Sequence, residues 1–200
     1  MGEDGPGAGS PLTRADQRAA ARVLTDALVD DPGWLAVGPD RRALRERIVL
    51  RFHHEALRVT ERYGGPILGA FDQDELVGVA VNFAAGLHPP PWHTNLRFVP
   101  GFLPAGPAAI ARALRTIAVQ ERGHPDFEHV YVAFLGVAPS HQRRGIGRAL
   151  LARVFEEAEA PVFLDTANPA NVPYYASVGF EETGRAAMPR GATLYFMTRL

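Results

Sequence analysis

Between an apolar run, Val130 to Val137, and an amphipathic segment, Ala149 to Ala158, lies Gln142-Arg143-Arg144-Gly145-Ile146-Gly147-Arg148. A strand, a turn rich in glycine and arginine, then a helix can build an anion site from backbone. Glycine lets a ligand approach closely, and the first N–H groups of a helix have no internal acceptor. A phosphate fills that gap and meets the positive end of the helix dipole. Arg143, Arg144 and Arg148 can add charge-assisted hydrogen bonds, or stand as a solvated helix start. Two common phosphate loops do not fit. A dinucleotide fold needs Gly-x-Gly-x-x-Gly, and Leu150 occupies the third glycine position. A P-loop ends in Lys-Ser or Lys-Thr, and the chain has no lysine.

Downstream, Asn171-Val172-Pro173-Tyr174-Tyr175-Ala176-Ser177-Val178-Gly179-Phe180 brings two tyrosines to a segment closed by Gly-Phe. A phenol with its ordinary pKa of ~10 is protonated at neutral pH and can give a proton to a leaving group. The plain alternative is a packed aromatic ring with a satisfied hydroxyl. Asp165 and His129 are candidate bases, though each reads more simply as structural. The chain has no cysteine, so no disulfide, thiolate metal site or thiol nucleophile is available. The 7 histidines lack metal-ligand spacing, and no metal is expected.

Gln142-x-x-Gly145-x-Gly147 after a strand resembles the acyl-CoA pyrophosphate loop of the GNAT acetyltransferases. Asn171, Tyr175 and Gly179-Phe180 resemble that family's second signature, in the right order. Within the family, residues 129–200 look like the group around puromycin N-acetyltransferase. The residues that carry this are Leu135 to Gln142, Leu164-Asp165-Thr166, Pro169 and Met197-Thr198-Arg199. Over the first 125 residues the likeness rests on helix layout and Pro39-Asp40-Arg41.

The resemblance implies acetyl transfer from acetyl-CoA to a primary amine. It implies a pantetheine arm paired with the backbone of Leu135, Gly136 and Val137, and a pyrophosphate on the N–H groups of Arg143 to Arg148. It also implies Tyr175 as general acid and Asn171 as a CoA or loop contact. Many relatives carry a glutamate base on the central strand, but Tyr131-Val132-Ala133-Phe134 has no carboxylate.

Asp31, Trp34, Phe83 and Trp92 are the candidate acceptor pocket. They combine flat apolar surfaces with a carboxylate for a cation. The acceptor expected first is a small-molecule amine, with an antibiotic of the puromycin type as one example. A protein or peptide amine is the second reading, and a non-catalytic acyl-CoA sensor the third.

These residues need a scaffold, and the hydrophobic spacing supplies one. Thr13 and Asp16 suggest a cap for a helix over about 14–29. Asp30-Asp31-Pro32-Gly33 breaks it, and a second helix runs from Pro39 to about Glu61. Strands are expected at 66–71 and 76–84, an irregular loop at 86–107 and a helix at 108–122. Strand 129–137, helix 146–158, strand 161–166, a short helix near 172–177 and strands near 180–185 and 193–200 complete the chain. The two unbroken apolar strands read as a central parallel pair joined by a helical crossover. The fold class is therefore α/β: a mixed, mostly antiparallel sheet with a central parallel pair and helices on both faces.

The chain is 200 residues long, with a formal net charge of −1. That length fits a single domain over 12–200, preceded by a disordered tail at 1–11. The charge gives no bulk attraction to nucleic acid or membrane, and neither is an expected partner. No apolar run reaches the ~20 residues of a membrane span, and no signal peptide is visible, so the expected location is cytoplasmic. A monomer and a homodimer are equally compatible with the sequence.

Overall fold

The computed structural model describes residues 7–63, 65–87 and 92–200. Seven strands form one sheet: β1 (Gly7–Pro11), β2 (Ile67–Asp72), β3 (Glu75–Phe83), β4 (Val130–Val137), β5 (Val162–Thr166), β6 (Glu181–Ala187) and β7 (Thr193–Arg199). Their order is β1-β2-β3-β4-β5-β7-β6. Every neighbouring pair is antiparallel except β4 and β5. The mixed α/β sheet with its central parallel pair is as expected.

The helices are α1 (Gln17–Leu28), α2 (Pro32–Val37), α3 (Arg42–Arg62), α4 (Val99–Phe102), α5 (Pro107–Gly123), α6 (Ile146–Glu157) and α7 (Asn171–Ala176). Alternation along the strands sends successive side chains to opposite faces. Val130, Val132, Val162 and Leu164 pack under Ile146, Leu150, Leu151 and Val154 of α6. On the other face, Val79 and Val81 meet Ala20, Ala21 and Leu24 of α1, with Leu57 of α3. Tyr131, Phe163 and Phe196 pack there with Ala36 of α2 and Val119 of α5.

The expected irregular loop at 86–107 holds the short helix α4, and the structure departs from the sequence reading in four further places. Residues 7–11 form edge strand β1 against β2 rather than part of a disordered tail, while residues 1–6 lie outside the described residues. The backbone N–H and the hydroxyl of Thr13 do donate to Asp16, but in the turn before α1 rather than as its cap. The Asp-Asp-Pro-Gly break continues into α2, because Asp31 accepts the Gly33 N–H at 2.8 Å and Pro32 suits a first helical turn. Helix α3 starts at Arg42, with Arg41 rather than Pro39 at its entry.

Three arginines hold α2 and the segments on either side of it. Arg45 is buried and donates to the carbonyls of Val29, Pro39 and Asp40 and to the Asp30 carboxylate. Arg112 on α5 donates to the Val37 and Gly38 carbonyls, and Arg190 to that of Leu35. Cations at a helix C-terminus satisfy carbonyls that have no internal donor. This clamp holds Trp34 in position.

Candidate active site

The centre of the sheet is split. β4 and β5 pair at three positions, Val130 with Val162, Tyr131 with Phe163 and Val132 with Leu164. On its other edge β4 stays paired with β3 as far as Val137. The register there shifts at Ala133, which has no partner on β3. An extra residue of this kind bends a strand and raises its twist. Beyond Val132 the β5-facing edge of β4 is therefore without a strand partner, leaving a cleft with a row of backbone donors and acceptors. Gly136 lies against α1. A Cβ there would lie 3.0 Å from Leu24 Cδ2 and 3.2 Å from Ala27 Cβ, so glycine is needed for α1 to approach.

At the end of β4 the chain passes through Gln142 into the glycine–arginine turn. The Gln142 side-chain amide donates to the Val137 carbonyl at 3.1 Å, which ties the turn to the strand. Arg143 has φ 63° and Gly145 φ 82°, both left-handed. None of the described hydrogen bonds uses the N–H of Arg143, Arg144, Gly145, Ile146, Gly147 or Arg148. Arg143 and Arg144 are exposed, whereas the Arg148 guanidinium donates to the Ser177 carbonyl at 3.1 Å and joins α6 to α7. Ile146 contributes its side chain to the core, not to the turn.

Gly147 faces the cleft. A Cβ there would sit 3.0 Å from the Tyr174 hydroxyl, 3.8 Å from Val137 and 3.9 Å from Leu135. The Tyr174 hydroxyl is buried and has no hydrogen-bond partner among the described residues. Open backbone edge, unused N–H groups, a glycine cradle and an orphaned hydroxyl fit a long ligand with a polar arm and an anionic end.

On the opposite side of the sheet a cavity of about 470 Å³ opens between α2, α3, α5 and β4. Trp34, Phe52, Phe83, Phe98, Phe102 and Phe134 supply its aromatic walls. Trp34 stands edge-on to Phe52, with ring centres 4.9 Å apart. Val99, Leu114 and Glu121 are its exposed lining residues, so its mouth lies between α4 and α5. Leu135, Asn171 and Tyr175 line it as well, and Leu135 borders both the cavity and the cleft. The Tyr175 ring packs on Tyr174 and Phe180, and its hydroxyl makes no hydrogen bond with the described residues. Burial is the main cause that pushes the Tyr175 phenol well above its ordinary range, so it keeps its proton.

Asp31 and Asp165 also line the cavity. Burial raises both carboxyls above the usual range, Asp31 against the Gly33 N–H that favours its charge. Asp165 accepts from Gln120 at 3.0 Å and from the Tyr131 hydroxyl at 2.9 Å.

Comparison with known proteins decides the family. The profile of the acetyltransferase (GNAT) family matches residues 34–180. The chain belongs to this family. One curated relative, the N-alpha-acetyltransferase RimI of Mycobacterium tuberculosis, is 39% identical over 100 residues. The match covers 47% of this chain and 58% of that protein, so it spans little more than half of the relative. A solved structure described as histone acetyltransferase HPA2 and related acetyltransferase, from Corynebacterium glutamicum, has a TM-score of 0.74 at 22% identity. It covers 97% of this chain and 95% of that one. The PaiA N-acetyltransferase of Thermoplasma acidophilum, solved in complex with coenzyme A, has a TM-score of 0.57 at 12% identity over 98% of each chain. At those identities the two structures speak for the fold.

In this GNAT fold the residues singled out from sequence fall into two groups. Leu135, Val137, Gly145, Gly147 and the turn arginines surround the cleft, while Asp31, Trp34, Phe83, Asn171 and Tyr175 line the cavity. The side chain of Trp92 lies outside the described part of the structure. Gln142 and Arg148 spend their side-chain donors on the protein itself. His129 does not line the cavity; its Nδ1 donates to the Phe127 carbonyl and its Nε2 meets His124. Sequence reading passed over Gln120 and His124. The signal was a run of α5 residues at helical spacing, Ile110, Ala113, Ile117, Gln120 and His124, whose apolar stripe turns polar at its end. Among the described residues no group of three His, Asp or Glu is placed to hold a metal ion.

Proposed function

We propose that this GNAT acetyltransferase moves the acetyl group of acetyl-CoA directly to a primary amine seated in the aromatic cavity, and that the amine is the α-amine of a polypeptide. The observation that carries the first part is the split between β4 and β5, with Leu135 bordering both the cleft and the cavity. Acetyl-CoA supplies an activated acetyl carbonyl whose sulfur must leave with a proton. In this reading the backbone of Leu135 to Val137 holds the pantetheine arm like an added strand. The N–H groups of Arg143 to Arg148 hold the pyrophosphate, with Arg143 and Arg144 adding charge. A β4 backbone N–H near Leu135 donates to the carbonyl oxygen as negative charge develops there. As the C–N bond forms and the C–S bond breaks, Tyr175, whose phenol burial keeps protonated, gives its proton to the departing sulfur and recovers one from the amine nitrogen. With no cysteine in the chain, no acetyl-thiol relay on the protein is available.

The polypeptide acceptor is supported by the 39% identity to an N-alpha-acetyltransferase. A second reading, a free small-molecule amine such as an aminonucleoside antibiotic, is favoured by the aromatic walls of the cavity. A peptide whose first side chain is apolar and a free aromatic amine would use the same walls, so turnover separates them. CoA release from acetyl-CoA is measured with a set of short peptides with free N-termini and a set of free aromatic amines. We expect the peptides to show the higher kcat/KM. Turnover confined to the free amines would replace the polypeptide reading with the second one.

A further inference from the structure

The titratable side chains lining the cavity are mostly acidic. Its described lining residues include three carboxylates, Asp31, Glu121 and Asp165, one imidazole, His124, and no arginine. This is a chain whose 21 basic residues are all arginine. Elsewhere those arginines meet acids freely: Asp30 is paired by Arg42 and Arg45, and Glu61 by Arg14. Asp31 and Asp165 have no ion pair among the described residues, and their hydrogen bonds come from neutral donors. Buried carboxylates without a cationic partner cost stability, and a cation that enters between them recovers part of that cost.

Three further groups in the lining have unmet hydrogen-bonding capacity among the described residues. Thr60 is 1% exposed, and neither its hydroxyl nor that of Thr116 has a partner among the described residues. Tyr175 is 8% exposed and makes no hydrogen bond with the described residues. Both carboxylates lie close enough to Tyr175 to act on its phenol. The aromatic rings of Trp34, Phe52 and Phe134 share this lining, and an aromatic ring attracts a cation placed over its face.

We propose that the cavity selects its acceptor by charge: Asp31 and Asp165 bind the amine as its ammonium ion, one of the two carboxylates takes a proton from it to free the nitrogen for attack, and a molecule of the same frame bearing a carboxylate is turned away. This deepens the acetyltransferase reading by naming the charge class of the acceptor. It applies to a polypeptide N-terminus and to a free amine alike, but excludes acceptors with an acidic group beside the amine.

The test uses binding, so it does not depend on turnover. Three indoles of matched frame are titrated into the full chain by calorimetry: tryptamine as cation, tryptophol as neutral form and indole-3-propionate as anion. We expect tryptamine to bind at least ~10-fold more tightly than tryptophol, and indole-3-propionate more weakly than either. Asp31→Asn and Asp165→Asn should each weaken tryptamine by roughly 10-fold and leave tryptophol within about twofold. Asp31→Asn keeps the helix cap, so it reports even if Asp165→Asn fails to fold. Equal affinity for the three indoles, binding by none of them, or tryptamine affinity unchanged in the folded Asn variants would overturn the proposal. Charge-ranked binding without acetyl transfer to any amine would overturn the enzyme reading and leave the cation site standing.

Discussion

Tyr175 and Gly147 show how much a single residue contributes here. The Tyr175 hydroxyl is buried, protonated and without a hydrogen bond to the described residues, so nothing else in the fold depends on it. Tyr175→Phe should therefore lower kcat by ~10²-fold or more and leave the Kd for acetyl-CoA within about twofold, read by steady-state kinetics and calorimetry. Equal turnover would remove Tyr175 from proton transfer. At Gly147 the next atom is the Tyr174 hydroxyl, 3.0 Å from any added Cβ. Gly147→Val should fill the cleft and raise the Kd for CoA while the thermal midpoint falls only slightly. Both residues were legible in the sequence, because a glycine in a phosphate turn and a tyrosine ahead of Gly-Phe are demanded by local chemistry. Trp34 was legible only as an aromatic residue. Its place depends on Arg45, Arg112 and Arg190, the last of them 155 residues away from the Leu35 carbonyl it binds. No local pattern announces a clamp of that span.

Among the elements, β4 does two jobs. Its first three residues hold β5, and its last five present an open edge, with Ala133 as the extra residue where the strand bends. The apolar run predicted the strand and its parallel partner, but gave no sign of where pairing stops. A bulge is a matter of register against β3, and register depends on two strands at once. The same face-by-face accounting explains Gly136, which sits against α1 rather than against the donor. Gly136→Val would drive a side chain into Leu24 and Ala27. We expect a loss of roughly 1–3 kcal/mol, read as a lower midpoint in denaturant with an unchanged slope. A Gly136 side chain tolerated without loss would mean that α1 does not lie as close as the structure has it.

At the scale of the whole molecule, the fold carries a cost at its cavity. Burial raises the folded-state pKa of Asp31 above its unfolded value. The folded chain then holds that proton more tightly than the unfolded chain does. Stability is complete below the ordinary carboxylate pKa of ~3.9, and part of it is lost as pH rises through that value toward the raised one. Asp31→Asn removes the loss and keeps the Gly33 cap. Melting curves across pH should show the variant more stable than the parent at pH ~7 and equal to it at pH ~3, while acetyl transfer falls. A variant less stable at neutral pH would make Asp31 a structural residue first. The sheet, both helical layers and the donor turn follow from hydrophobic period and turn chemistry. The cavity does not, since its lining comes from α2, α3, α5, β4 and β5 and exists only once those elements meet.

Direct transfer across the split sheet is tested most simply by initial rates with acetyl-CoA and an accepted amine varied together. We expect CoA release that requires the amine, with double-reciprocal lines that intersect, as a ternary complex demands. Parallel lines, or no amine-dependent release despite CoA binding, would contradict it.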